Sequence, residues 1–326
     1  MKNFLSLFLI IVVLGWGGFA EAQQKQKVWR LGYLTSNSAA AEQPRLVPFL
    51  QGMRARGYVE GQNLVIEYRF TDGKFERLSE LAAELVRSKV DVLIANTTNA
   101  ALAAKNATQT IPIFFIGISD PIGAGLIDSL ARPGGNVTGL TNIAPMLSGK
   151  RLELLKETVP KLSRVAVLWD PKNPGSTPQW NESQLAAREL GLQLHSMEVS
   201  SVDKYESAFK QAVKARSAAL AVTLNPLANS NQKLVVELAA KNRLPAVYAR
   251  SDYIENGGLM SYGQSFASDG QDAARLVDKL LKGTPPAEIP TEQPMKFELV
   301  INLKTANQLG LTIPQWTLMK ADRVIR

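Results

Sequence analysis

The chain contains no cysteine and a single histidine, His195, among its 326 residues. Without cysteine there is no disulfide, no thiolate nucleophile and no Cys-ligated metal, so a chain of this length must be held by its apolar core. His195 sits alone inside an apolar stretch, which leaves a Ser-His-Asp arrangement or a histidine metal site without partners and makes a structural or solvent-facing role the expectation. Also missing are a phosphate loop ending in Gly-Lys-Ser/Thr and a Gly-x-Gly-x-x-Gly turn after the first apolar run, where the sequence reads Gly32-Tyr33-Leu34. Glu153 and Glu157 stand four apart among lysines and arginines, the pattern of a solvated helix face. The 37 basic and 29 acidic residues give a formal charge of +8, but they are scattered, with no basic block interleaved with aromatics. That pattern argues against nucleic acid and for solubility. No catalysis, cofactor or metal is expected.

What is present begins with a three-zone N-terminus. Lys2 precedes an apolar run over residues 4–14, and the small-residue site Ala20-Glu21-Ala22 precedes Gln23. This is the layout of a secretory signal peptide over residues 1–22, cleaved after Ala22. The apolar run is shorter than the roughly 20 residues that cross a bilayer. A lipoprotein would need a cysteine at the cleavage point, so the mature protein is expected free in the periplasm. The roughly 300 residues that remain exceed one average domain and suggest two lobes. A hydrophobic content of 45% with 20% charged residues fits a globular chain.

From residue 28 onward, short β-branched apolar runs alternate with amphipathic stretches, the pattern of βα units on a parallel sheet. Strands are expected over 28–34, 64–69, 90–95, 111–116 and 137–140. Helices are expected over 43–56, 75–87 and 100–108, with a short one from Pro121 to Leu130. Leu78, Leu81, Ala82 and Leu85 fall on one helical face. The pattern then restarts, with helices over 147–159, 178–190, 202–215 and 230–242 and strands over 164–169, 192–199, 218–224, 245–248 and 257–262. A helix over 268–282 is expected to return to the first lobe, and a strand over 296–302 and a short helix over 305–309 to the second. The expected architecture is therefore α/β, two doubly wound parallel-sheet lobes joined by a hinge. The first lobe comprises residues 28–141 plus 264–290 and the second 142–263 plus 291–326. Crossings near Thr141, Gly263 and Pro290 would be the hinge of a clamshell.

Three segments in order, Gly57-Tyr58-Val59-Glu60-Gly61-Gln62-Asn63, Ser119-Asp120-Pro121-Ile122-Gly123-Ala124-Gly125-Leu126 and Arg132-Pro133-Gly134-Gly135-Asn136-Val137-Thr138-Gly139, resemble one family. Lys150-Arg151-Leu152-Glu153-Leu154-Leu155 followed by Pro160 extends the match. Together they are similar to the ABC-transporter substrate-binding proteins of the type I periplasmic-binding fold, whose better-understood relatives bind aromatic amino acids. The likeness spans residues 28 to about 312. Read locally, the first and third of these segments are turns that permissive glycines allow. The resemblance implies an extracytoplasmic, monomeric solute-binding protein that closes its cleft on an amino-acid-like or small carboxylate ligand and delivers it to an inner-membrane ABC permease. A periplasmic sensor presenting its ligand to a membrane receptor is the alternative. A repressor of the same fold would need a DNA-binding headpiece where the signal peptide stands.

Ligands of open parallel sheets bind beyond the carboxyl ends of the strands. That rule selects Thr35, Ser36 and Asn37 after the first strand, Asn96, Thr97 and Thr98 after the third, and Ser119 and Asp120 after the fourth. Small hydroxyl and amide side chains at helix starts offer N–H donors to a carboxylate. Asp120 is a candidate partner for a ligand ammonium, and equally a cap for a helix opening at Pro121; Thr97 and Thr98 are candidate caps as well. From the second lobe come Asn225, Tyr248, Tyr253 and Tyr262, the tyrosines as rings against a flat or apolar ligand. Aromatic-binding relatives carry an acidic residue near position 225, where this chain reads Leu224-Asn225-Pro226.

Overall fold

The computed structural model describes residues 27–326; the signal peptide expected over residues 1–22 lies outside the described residues. In the first lobe β1 (Trp29–Thr35), α1 (Ala39–Ala55), β2 (Leu64–Phe70), α2 (Leu78–Arg87), β3 (Val92–Asn96), α3 (Thr98–Ala107), β4 (Ile113–Ile118) and β5 (Val137–Thr141) follow in order. Their five strands form a parallel sheet ordered β2-β1-β3-β4-β5. Central strands of such a sheet are covered on both faces, which is why β3 and β4 read as continuous apolar runs.

The second lobe begins with α4 (Met146–Thr158), β6 (Arg164–Trp169), α5 (Thr177–Glu189), β7 (Gln193–Glu198), α6 (Tyr205–Lys214), β8 (Ala219–Val222), α7 (Pro226–Ser230), α8 (Gln232–Lys241), β9 (Ala246–Tyr248), α9 (Asp252–Glu255) and β10 (Met260–Gln264). The chain then crosses to α10 (Phe266–Leu281) and returns through β11 (Phe297–Asn302), α11 (Leu303–Leu309), α12 (Gln315–Met319) and β12 (Arg323–Ile325). The seven-stranded sheet is ordered β12-β11-β10-β9-β8-β6-β7 and is parallel except for the β10–β11 pair. Each sheet has one apolar core on either face. Among the described residues no helix is long and apolar enough to cross a membrane.

Two local differences from the expected elements have physical causes. The chain after Asp120 is a run of turns rather than a helix, because Gly125 takes a φ of +69°, which ends any right-handed turn begun at Pro121. α1 starts four residues earlier than expected because the Ser38 hydroxyl accepts from the Ala41 N–H, and it runs through Pro44 and Pro48 despite the hydrogen bonds they remove. Packing on α10 holds it: α10 brings Ala273, Ala274, Leu276 and Val277 against Phe49 and Met53. At Gly270 the helices approach so closely that a Cβ would stand 2.7 Å from the Arg45 carbonyl oxygen. That approach fixes the inner face of α1, which carries Glu42 and Arg45.

Candidate functional site

Both sheets reverse their strand order between neighbours, at β1/β3 in one lobe and β6/β8 in the other, and a cleft opens beyond the strand ends there. About 420 Å³ of empty space, mouth included, lies between Asn37, Arg45, Asn96, Thr97, Thr98, Gly117, Ser119 and Asn142 on one wall and Asn173, Gly175, Leu224, Asn225, Pro226, Asn229 and Arg250 on the other. Phe266, the first residue of α10, closes its floor.

The first wall is organised by Glu42, in the first turn of α1 and fully buried. Its carboxylate accepts from Tyr33 Oη at 2.7 Å, Thr35 Oγ1 at 2.8 Å, Asn37 Nδ2 at 2.5 Å and Asn96 Nδ2 at 2.6 and 2.7 Å. Four donors, the positive end of the helix and the Arg45 guanidinium at ion-pair distance make a buried carboxylate tenable. Burial first, and then the Glu42 charge, hold the Tyr33 phenol well above its ordinary pKa, so it serves as a donor throughout the physiological range.

One turn further, Arg45 is 5% exposed, and its guanidinium meets carboxylates only at ion-pair distance: 3.9 Å to Glu42 Oε2 and 3.7 Å to Asp269 Oδ2. Its Nε has no hydrogen-bond partner, and its guanidinium carbon lies 4.2 Å from the Phe266 ring centre. Asp269 accepts from Gln264 Nε2 at 2.6 Å; desolvation pushes its carboxyl up to about 6, against the opposing pull of Arg45. Thr97 adds backbone strain, a β-branched residue with φ +92° at the cleft edge. Its Oγ1 lies 2.9 Å from Ser36 Oγ and caps α3 by accepting from the Ala100 N–H.

The second wall is largely satisfied by its own loops. Asn225 caps α7, accepting from the Ala228 N–H at 2.8 Å, and Asn173 accepts from the Gly175 N–H and donates to Ser176. Arg250 is almost fully buried and pairs with Asp252, Nε–Oδ1 3.0 Å and Nη2–Oδ2 2.6 Å. Burial alone would lower its pKa, but the Asp252 charge outweighs that and the net shift is upward, so the group stays cationic. Arg250 also reaches across the cleft: Nη2 donates to the Ala41 carbonyl at 2.7 Å, beside a second inter-lobe bond from the Ser38 N–H to Ser230 Oγ. Its guanidinium carbon stands 4.7 Å from Phe266, so a cation from each lobe contacts that ring.

Of the residues selected from sequence, Asn37, Asn96, Thr97, Thr98, Ser119 and Asn225 line the cleft. Thr35 and Ser36 do not; they are buried behind it, bonded to Glu42 and Thr97. Asp120 is exposed, outside the lining, and its Oδ1 accepts from the Gly123 N–H at 2.8 Å, so the turn and not the cleft uses it. Tyr248 and Tyr253 are stacked on each other at 4.5 Å inside the α6/α8 core, where large rings at strand ends bury their area. Tyr262 packs against the core on the opposite face of the same sheet. The lining residues that strand-end reasoning missed are chiefly Arg45, Arg250 and Phe266, because two lie on helices and the third in a loop chosen for its tyrosines.

Residues 44–325 match the family described as ABC transporter substrate binding protein. A curated relative, "Tyrosine-binding protein" of Clostridioides difficile (strain R20291), is 27% identical over 263 residues, 81% of this chain and 75% of that protein. Among solved structures, a conserved domain protein from Vibrio cholerae superposes with a TM-score of 0.86 at 29% identity, covering 91% of this chain and 100% of that one. An "ABC domain in complex with L-Trp" from Streptococcus pneumonia gives 0.85 at 26% identity, covering 92% and 100%.

Proposed function

This chain belongs to the family of ABC transporter substrate-binding proteins, and from that premise we propose that it is the extracytoplasmic solute-binding component of an ABC importer. The family is one of binding proteins and not of enzymes. The solute is an amino-acid-like molecule or small carboxylate, with an aromatic side chain as one candidate, in line with the tyrosine and tryptophan in the names of its relatives. The observation that carries this reading is Arg45, a buried cation in the inter-lobe cleft with an unpartnered Nε. A guanidinium offers a carboxylate two parallel charge-assisted bonds. Leu224, Pro226 and Phe266 supply apolar wall for the rest of the ligand.

Binding is coupled to closure of residues 28–141 plus 264–290 against 142–263 plus 291–326. The hinge is formed by crossings that lie side by side: the Thr141 N–H donates to the Glu292 carbonyl at 2.9 Å and the Ser265 N–H to the Lys296 carbonyl at 3.0 Å. Arg250 and Ser230 bond the opposite lobe only when the lobes approach, and a ligand that favours this state shifts the equilibrium toward it. The closed monomer is then what the inner-membrane permease recognises, after secretion to the periplasm and cleavage after Ala22. A thermal-shift screen of amino acids, carboxylates, sugars and metal ions tests the reading. Stabilisation by amino acids or carboxylates, followed by 1:1 calorimetry, is expected; stabilisation by sugars or metal ions alone would overturn it.

A further inference from the structure

We propose that Glu42 is a positioning residue that makes the ligand's amino group a requirement, by turning the carbonyls of Asn37 and Asn96 into the cleft beside Arg45. The inference rests on the reading of this cleft as the solute site.

An ionised carboxylate can only accept hydrogen bonds. Because Glu42 contacts Asn37 at 2.5 Å and Asn96 at 2.6 and 2.7 Å, both amides must present their NH2 groups to it and their oxygens elsewhere. Both asparagines line the cleft. Asn37 Oδ1 is buried with no partner, and Asn96 Oδ1 accepts no hydrogen bond among the described residues. The position a Cβ would take at Gly117 lies 3.6 Å from Asn96 Oδ1 and 3.5 Å from Arg45 Nη2, so the carbonyl and the guanidinium border the same small space. An α-amino acid carries a three-donor cation and a two-oxygen anion on a single carbon, the pair of groups that this space complements. Its ammonium meets carbonyls polarised by the Glu42 charge behind them, and its carboxylate meets Arg45. A carboxylic acid without the amino group satisfies Arg45 and leaves two carbonyls facing a methylene. A site built to bond a polar group rejects analogues that lack it far more strongly than an apolar pocket rejects a changed methylene.

The test is calorimetry on the mature protein with three pairs of probes: L-tryptophan and indole-3-propionate, L-tyrosine and 3-(4-hydroxyphenyl)propionate, L-leucine and 4-methylpentanoate. For whichever pair binds, the amino acid is expected to bind on the order of 10²-fold tighter than its deaminated partner. In Glu42→Gln the charge behind both carbonyls is lost and the new NH2 competes for acceptors within the cluster; the preference should fall at least about tenfold. Asn37→Ala removes one carbonyl, together with one of the four Glu42 donors, and should lower the same ratio. A ratio near one in the wild type, or a ratio unchanged in both variants, overturns the inference while leaving a carboxylate-binding protein in place. If none of the six binds, the amino acid that stabilises the protein most in the thermal-shift screen is compared with its own deaminated acid; stabilisation only by carboxylates that lack an amino group overturns the inference.

Discussion

On the first lobe's wall of the cleft, the Arg45 Nε and the Asn37 carbonyl have no partner, whereas on the second lobe's wall Asn225, Asn173 and Arg250 are bonded to their own loops or across to α1. Asn229, whose Oδ1 is unpartnered, is the exception on that second wall. Open hydrogen-bonding capacity along a cleft is capacity that a ligand can use. Satisfied groups that span the cleft mark what closes over it. Under the proposed closure mechanism, the contrast gives recognition to the first lobe and closure to the second. A pair of substitutions can break that assignment. Arg45→Met should weaken an amino-acid or carboxylate ligand on the order of 10²-fold, since it removes the cation and leaves a ligand charge unpaired. Arg250→Met should cost about tenfold, because it removes a bond of the closed state while its partner Asp252 retains access to water. Calorimetry on both variants decides; an equal or larger loss for Arg250→Met would reverse the roles of the lobes.

A second expected effect concerns stability and belongs to the first lobe. Asp269 faces Arg45, Gln264 and Asp272, and burial raises its carboxyl to about 6 from an ordinary 3.8. The folded protein therefore holds this proton over a pH range where the unfolded chain has released it. Stability from this group is greatest below the unfolded value and falls as pH rises from about 4 to about 6, by roughly 2–3 kcal/mol in all. Above that range the penalty is constant. Asp269→Asn removes the titration, so the difference in unfolding free energy between the variant and the wild type should change by that amount between pH 4 and pH 7 in denaturant melts. A pH-independent difference would mean that the Arg45 charge fully offsets the burial of Asp269.

How the chain wraps was legible in its sequence because apolar periodicity survives packing: Leu78, Leu81, Ala82 and Leu85 read as one helical face and all four are buried. Shorter elements lacked a period to read. α7, α9, α12 and β12 span three to five residues each, too few to distinguish from turns. In the site, residues at strand ends were found by the topology rule, and those on helix faces were not. Glu42 and Arg45, three apart on α1, carry the local pattern of a solvated ion pair; only the approach of α10, far along the chain, buries them. The tyrosines failed for the complementary reason. Tyr248 and Tyr262 lie on neighbouring strands of one sheet and pack into cores on its two opposite faces. Alternation predicts that a strand has two faces, not which one meets the cleft.

Asp120 gives the smallest expected effect and bounds the recognition wall. Its sequence context, Ser-Asp-Pro at a strand end, suits a ligand ammonium, but its carboxylate is exposed and already accepts from the Gly123 N–H, clear of the lining that Asn37, Arg45 and Asn96 form. If the ammonium site is the pair of amide carbonyls held by Glu42, Asp120→Ala removes only a turn bond. Loss of such a cap at an exposed site costs about 0.5–1 kcal/mol, a Tm decrease of a few degrees at most. Calorimetric affinity for an amino-acid ligand should stay within about twofold of the wild type, since no bond to the ligand is lost. A tenfold loss confined to amine-bearing ligands would extend the recognition wall to β4's end and place the ammonium there instead.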